Sequence, residues 1–81
     1  MKNLLFIVNP SAGRKHIKGK LFDIVDLFVK ADYNVRVYPT QAKQDATRIV
    51  CKEGWLYDLI VCAGGDGTLD EVVAGCMKCG C

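Results

Sequence analysis

The run Leu59-Ile60-Val61-Cys62-Ala63 passes directly into Gly64-Gly65-Asp66-Gly67-Thr68, and this junction restricts the fold more than any other stretch of the chain. Five consecutive apolar residues suit a strand buried on both faces, as in a parallel sheet covered by helices. The glycines reach positive φ and let the main chain come close to a ligand. A helix expected from Thr68 presents free N–H groups and the positive end of its dipole. Strand, turn and helix together then make a receptor for an anion, most often phosphate. Asp66 would repel a bare phosphate, so its place in the loop fits chemistry that includes a divalent cation or a proton transfer. A tight turn with Asp66 as a cap is the plain alternative. The stretch reads as a nucleotide-phosphate site.

Strand and helix periods alternate along the rest of the chain. Residues 2–8 form a continuous apolar strand closed by Asn9-Pro10-Ser11-Ala12-Gly13. Ile17, Leu21, Ile24 and Phe28 recur at helical spacing, which predicts one buried helix face running to about Ala31. Residues 34–38 alternate as a second strand, with Val35 and Val37 on one face and Pro39 ending it. Asp45 can cap a short helix carrying Ala46, Ile49 and Val50, stopped by Gly54. Residues 58–63 are the third strand, and a third helix runs from Thr68 to about Lys78. The pattern βαβαβα predicts an α/β fold of three layers, a parallel sheet between helices. Right-handed crossovers put the three strand ends on one edge, the edge where open α/β sheets bind ligands.

Length and composition bound the reading. Eighty-one residues make one domain at most, and a net charge of +2 argues neither for nor against nucleic acid; none is expected as a partner. No apolar run reaches the roughly 18 residues of a membrane span. The run Leu4 to Val8 is too short for a signal-peptide core, so a cytoplasmic location is expected. Five cysteines (Cys51, Cys62, Cys76, Cys79 and Cys81) cannot all pair within one chain. They read as reduced, partly buried thiols. Cys76, Cys79 and Cys81 could give zinc three thiolates, but a fourth ligand is lacking nearby and no metal site is assigned. Lys78, fourth from the end, rules out prenylation.

Candidate ligand residues gather in the loops of the predicted rim. Arg14, Lys15, His16, Lys18 and Lys20 crowd the start of the first helix, where cations oppose the dipole unless an anion lies above them. A solvated basic face is the alternative. Asn9 suits a turn as well as a ligand contact, and Thr40 suits a turn hydroxyl as well as a ligand contact. Trp55 and Tyr57 read as core or rim aromatics.

Asn9-Pro10-Ser11-Ala12-Gly13, with Gly64-Gly65-Asp66-Gly67-Thr68-Leu69-Asp70-Glu71-Val72-Val73, resembles the catalytic domain of diacylglycerol kinases. That group takes in bacterial diacylglycerol and other lipid kinases and the sphingosine and ceramide kinases. The resemblance covers essentially the whole chain. The Gly-Asp-Gly-Thr loop alone is shared with NAD kinases and, more loosely, phosphofructokinases. The first loop and the Glu71-Val72-Val73 continuation tilt the match toward lipid kinases. The resemblance implies transfer of the ATP γ-phosphoryl group to a lipid hydroxyl such as that of diacylglycerol, with Mg2+. It implies ATP contacts from Asn9, Pro10, Ser11, Ala12, Gly13, Thr40, Gly65, Asp66, Gly67, Thr68, Leu69, Asp70 and Glu71. Asp66 would lie near the phosphates and the magnesium, and no catalytic residue is assigned within the chain.

Two residues depart from the family pattern: Asp70 and Ala74 stand where asparagine is usual. Family members run to roughly three times this length, so the chain is expected to be the first half of a nucleotide domain. The lipid pocket, structural magnesium ligands and the catalytic base would belong to later segments, including a β-rich second domain. Such a half-domain leaves a sheet edge and apolar surface bare and is expected to be marginally stable or paired with another copy. The full enzyme would associate peripherally with membrane. An NAD kinase-like enzyme and a non-catalytic module acting through dimerisation are the competing readings.

Overall fold

The computed structural model describes residues 1–10, 15–64 and 66–80; for residues 15–18 and 66 it describes the backbone only. Strand β1 (Lys2–Val8) is followed by helix α1 (Lys15–Lys30), β2 (Tyr33–Pro39) and α2 (Asp45–Glu53). A 3-10 turn (Gly54–Leu56) leads into β3 (Leu59–Ala63) and α3 (Asp66–Cys79). The sheet order is β2-β1-β3, and both pairings are parallel. Val8 stands beside Pro39 on one side and Ala63 on the other, so all three strands end along one rim. This is the expected α/β alternation.

β1 is central and covered on both faces, which explains its unbroken apolar run. Leu4, Leu5, Phe6 and Ile7 are almost wholly buried. Leu5 and Ile7 face α2 and α3, packing with Ala46, Ile49, Val50 and Val72. Leu4, Phe6 and Val8 face α1, where Leu21, Ile24 and Phe28 pack with Val35 and Val37. The Phe28 ring meets Phe6 edge-on at 5.5 Å between centroids, the geometry aromatic quadrupoles favour. Ile17, the fourth member of the expected α1 face, has its side chain outside the described residues.

Three local expectations are corrected. Asp45 is not the cap of α2 but its first helical residue. The cap position is Gln44, in the left-handed region at φ 67° with no side-chain capping bond. α2 does stop at Gly54 as expected: Gly54 is its C-terminal cap, at φ −55° with its N–H donating to the Val50 carbonyl, and it leads into the 3-10 turn. Trp55 is neither core nor rim: 75% of it is exposed, its indole N–H donating to the Lys52 carbonyl at 3.3 Å. Tyr57, in contrast, packs against the α2–α3 side of the core.

The third correction concerns the cysteines. Cys51 and Cys79 are joined in a disulfide, with Cα atoms 5.2 Å apart. The cause is the close crossing of α2 and α3 at Gly75. A Cβ there would lie 3.0 Å from Val50 Cβ and 3.1 Å from the Thr47 carbonyl oxygen, so the missing side chain brings the helices together. Cys62 and Cys76 stand outside this disulfide, both partly buried as expected, and Cys81 lies outside the described residues.

Candidate functional site

The rim is stitched by backbone. Thr40 N–H donates to the Val8 carbonyl at 2.8 Å, and Asn9 N–H donates to the Ala63 carbonyl at 2.9 Å. These bonds continue the sheet one step past its strands and bring residues 9, 40 and 64 into one row. The chain leaves β1 toward α1 on one face of the sheet and leaves β3 toward α3 on the other. The crevice between those two strand ends is where a parallel sheet opens to a ligand.

One side-chain bond joins the two motif loops across that crevice. Asn9 Nδ2 donates to Thr68 Oγ1 at 3.2 Å, linking residues 59 apart in sequence. Thr68 is only 4% exposed, and a buried hydroxyl needs such a partner. Gly64 makes the approach feasible. At φ +157° a Cβ would fall 2.7 Å from Thr68 Oγ1 and 3.0 Å from Asn9 Cβ. Any side chain at 64 would push the loops apart. α3 begins at Asp66, two residues earlier than expected, and its first turn opens at this rim. The first turn of a helix carries backbone N–H groups without an intrahelical partner, an arrangement suited to an anion.

A cavity of about 220 Å³ lies beside the bond, lined by Asn9, Thr40, Gln41, Ala42, Lys43, Thr68 and Glu71. Four residues nominated from sequence thus meet in one place: Asn9, Thr40, Thr68 and Glu71. Glu71 also has a structural task, since its Oε1 accepts from Ala46 N–H at 3.3 Å in the first turn of α2. Gly67 has open space around it, and Leu69 and Asp70 are exposed without lining this cavity. Pro10 is half-buried at the loop entrance. Ser11, Ala12, Gly13, Gly65 and the side chain of Asp66 lie outside the described residues, as do Arg14 and the side chains of Lys15, His16 and Lys18.

Gln41, Ala42 and Lys43 were not nominated from sequence, and Asp45 explains how they reach the site. Asp45 is 6% exposed. Its Oδ2 accepts from Gln41 N–H at 2.7 Å and from the Tyr38 hydroxyl at 2.9 Å, while Oδ1 accepts from Arg48 Nε at 3.0 Å. The bond from the Gln41 backbone, with Arg48 and Tyr38 beside it, holds the Asp45 carboxyl below its ordinary range. Donating to that carboxylate pushes the Tyr38 hydroxyl up. The 40–44 loop is thereby clamped onto α2, with Lys43 the one cation lining the cavity among the described residues.

The donor set fits a phosphate-bearing ligand: two side-chain amides, two hydroxyls, a lysine and the first turn of a helix. Among the described residues no group of three His, Cys, Asp or Glu side chains is placed to hold a metal ion. Nor is any described helix long and apolar enough to cross a membrane.

Comparison with known proteins gives the family of the chain. The sequence profile of the diacylglycerol kinase catalytic domain matches residues 3–80. A diacylglycerol kinase of Bacillus subtilis (strain 168) is 42% identical over 77 residues, covering 93% of this chain and 25% of that protein. One from Staphylococcus epidermidis (strain ATCC 12228) is 41% identical over 78 residues, covering 91% and 24% respectively. The crystal structure of a diacylglycerol kinase from Bacillus anthracis superposes with a TM-score of 0.81 at 33% identity, over 91% of this chain and 27% of that one. The chain therefore spans about a quarter of the length of the relatives it matches. A match over nearly every residue, with the same fold, means that the chain belongs to the diacylglycerol kinase catalytic domain family.

Proposed function

We propose that this chain is the ATP-binding part of a lipid kinase that moves the ATP γ-phosphoryl group onto a lipid hydroxyl such as that of diacylglycerol. The observation that carries the reading is the Asn9–Thr68 bond, which holds both motif loops over the cavity at the strand ends. ATP would lie on this rim. Asn9, Thr40, Thr68 and Lys43 would face its polar groups, with Pro10, Ser11, Ala12, Gly13, Gly65, Asp66, Gly67, Leu69, Asp70 and Glu71 completing the two loops. Mg2+ would arrive on the triphosphate, with Asp66, as the family resemblance implies, near the phosphates and the metal. Phosphoryl transfer depends mainly on positioning and charge neutralisation, the tasks that glycine loops and a helix terminus perform.

The lipid would be held by polypeptide beyond the quarter shared with the relatives. Leu69, Val73 and Met77 recur every four residues on α3 and are 47% to 82% exposed, and Leu59 at the β3 edge is 40% exposed. This apolar stripe beside an unpaired strand is a surface for the rest of such a domain. The isolated chain would then bind nucleotide weakly and turn over little. A cytoplasmic enzyme meeting its substrate at the membrane surface completes the proposal.

Calorimetric titration with Mg-ATP tests it, with Mg-NAD in parallel. The parent chain is expected to bind Mg-ATP and to prefer it to Mg-NAD. Asp66→Ala is expected to lose at least about tenfold in Mg-ATP affinity while keeping its fold, as when a charge-assisted contact of roughly 1.4 kcal/mol or more is removed. Equal affinity in the variant would reduce Asp66 to a turn residue. A preference for NAD would replace the lipid-kinase reading with an NAD kinase-like one.

A further inference from the structure

A second concave surface runs from the rim down between α2 and α3. On α3, Glu71, Gly75 and Cys79 recur every four residues and so stand one above another on the face toward α2. Each has a partner there. Thr47 Oγ1 donates to the Glu71 carbonyl at 2.6 Å, Gly75 abuts Thr47 and Val50, and Cys79 is bonded to Cys51. The disulfide is the last rung of this ladder, and it opens to solvent. Cys79 is exposed and Cys51 partly so.

Around it lies an open groove of about 710 Å³, lined by Lys43, Arg48, Lys52 and Lys78 together with both cysteines. Among the described residues Asp45 is the only carboxylate in the lining, and it is turned inward onto Gln41, Tyr38 and Arg48. Among the described residues, Lys43, Lys52 and Lys78 take part in no ion pair. Such a setting favours thiolate over thiol and draws in anions. Cys62 is the contrast: burial pushes its thiol up, away from reactivity.

We propose that Cys51 and Cys79 form a thiol–disulfide exchange site whose co-reactant is a small thiol carrying carboxylates, of the glutathione kind. The thiolate of that molecule attacks Cys79 Sγ, the exposed sulfur. A mixed disulfide forms on Cys79, the Cys51–Cys79 bond breaks, and the electron pair leaves on Cys51 Sγ, which takes a proton from water. A second small thiolate attacks the sulfur of the first and releases their shared disulfide. Cys79 departs as a thiolate and is protonated in turn. Two small thiols are thus oxidised to one disulfide while the protein disulfide is reduced to two thiols. Lys52 and Lys78 attract the carboxylates and steady each thiolate as it forms. Reduction removes the last rung between α2 and α3 and leaves the pair joined at the Glu71 end.

Peptide mapping of the full chain after oxidation by glutathione disulfide is expected to find Cys51 joined to Cys79. Finding both cysteines alkylated as free thiols would overturn the proposal. The rate of reduction is then measured with glutathione and with cationic cysteamine, each normalised to its rate on a neutral small disulfide. Glutathione is expected to be at least about fivefold faster at low salt. The gap should close to within about twofold near 1 M salt, where the Debye length is about 3 Å. Lys52→Gln with Lys78→Gln, both at exposed positions, should remove the preference without unfolding the chain. Equal rates for the two thiols, or a preference that survives in the double variant, would contradict the assignment.

Discussion

Asp45 shows how one side chain can organise a ligand rim without touching the ligand. It is a carboxylate taken out of water, and three donors replace its hydration: the Gln41 N–H, the Tyr38 hydroxyl and the Arg48 guanidinium. Truncating it leaves those donors unanswered, so Asp45→Ala should cost about 1–3 kcal/mol of stability in denaturant unfolding. The sign of its pH dependence follows from the direction of its shift. The folded-state pKa lies below the ordinary 3.8, so its contribution is fully present above that value and is lost as pH falls through the folded one. The stability gap between the parent and Asp45→Asn should stay constant from pH 7 to about 4.5 and shrink below that. A gap that widened on acidification would contradict the assignment. Nothing in the sequence around Asp45 shows this role, because Tyr38 and Gln41 reach it only through the path of the 40–44 loop. Asn9 and Thr68 were different: turn chemistry and loop context nominated each alone, while the bond between them depends on folding across 59 residues.

At the scale of elements, period and position explain what sequence reasoning could reach. Leu21, Ile24 and Phe28 repeat at helical spacing because all three lie on Leu4, Phe6 and Val8. β1 lacks alternation because both its faces are covered. The pairing of Cys51 with Cys79 was out of reach, since it depends on how closely α2 and α3 cross at Gly75. The start of α2 was misjudged by one residue for a related reason. Gln44 adopts the left-handed conformation so that Asp45 can turn inward, at a cost of roughly 1–2 kcal/mol for a residue with a Cβ. Glycine would relieve that cost while losing about 0.5–1 kcal/mol in chain entropy. Gln44→Gly should therefore raise stability by about 0.5–1 kcal/mol, seen as an increase of several degrees in melting temperature for a chain of this size. A lower melting temperature would mean that Gln44 makes a compensating interaction.

The whole molecule is one sheet with its middle well covered and its margins bare. β1 is buried, while β2 and β3 are both edge strands. The exposed Leu69, Val73 and Met77 continue the apolar surface past β3. Because those side chains pack on little within the chain, Val73→Lys with Met77→Lys should change unfolding free energy by no more than about 0.5 kcal/mol per site. The double variant should also show less self-association in sedimentation, since the edge and stripe together form the sticky surface. A large loss of stability would mean that the stripe is part of this chain's own core. That a sheet edge would be left bare was legible from three strands and three helices alone; which α3 residues would be exposed followed only once α2 had claimed the Glu71, Gly75 and Cys79 face.

The central claim is that two loops at the ends of β1 and β3, joined through Asn9 and Thr68, receive the phosphates of ATP. Titrating the isotope-labelled chain with Mg-ATP while following backbone amide resonances tests it most directly, with Mg-NAD as a parallel titration. The predicted result is saturable shifts confined to residues 9–13, 40–43 and 64–71, larger for Mg-ATP than for Mg-NAD and weakened in Thr68→Val. A well-dispersed spectrum that Mg-ATP leaves unmoved at those residues would contradict it.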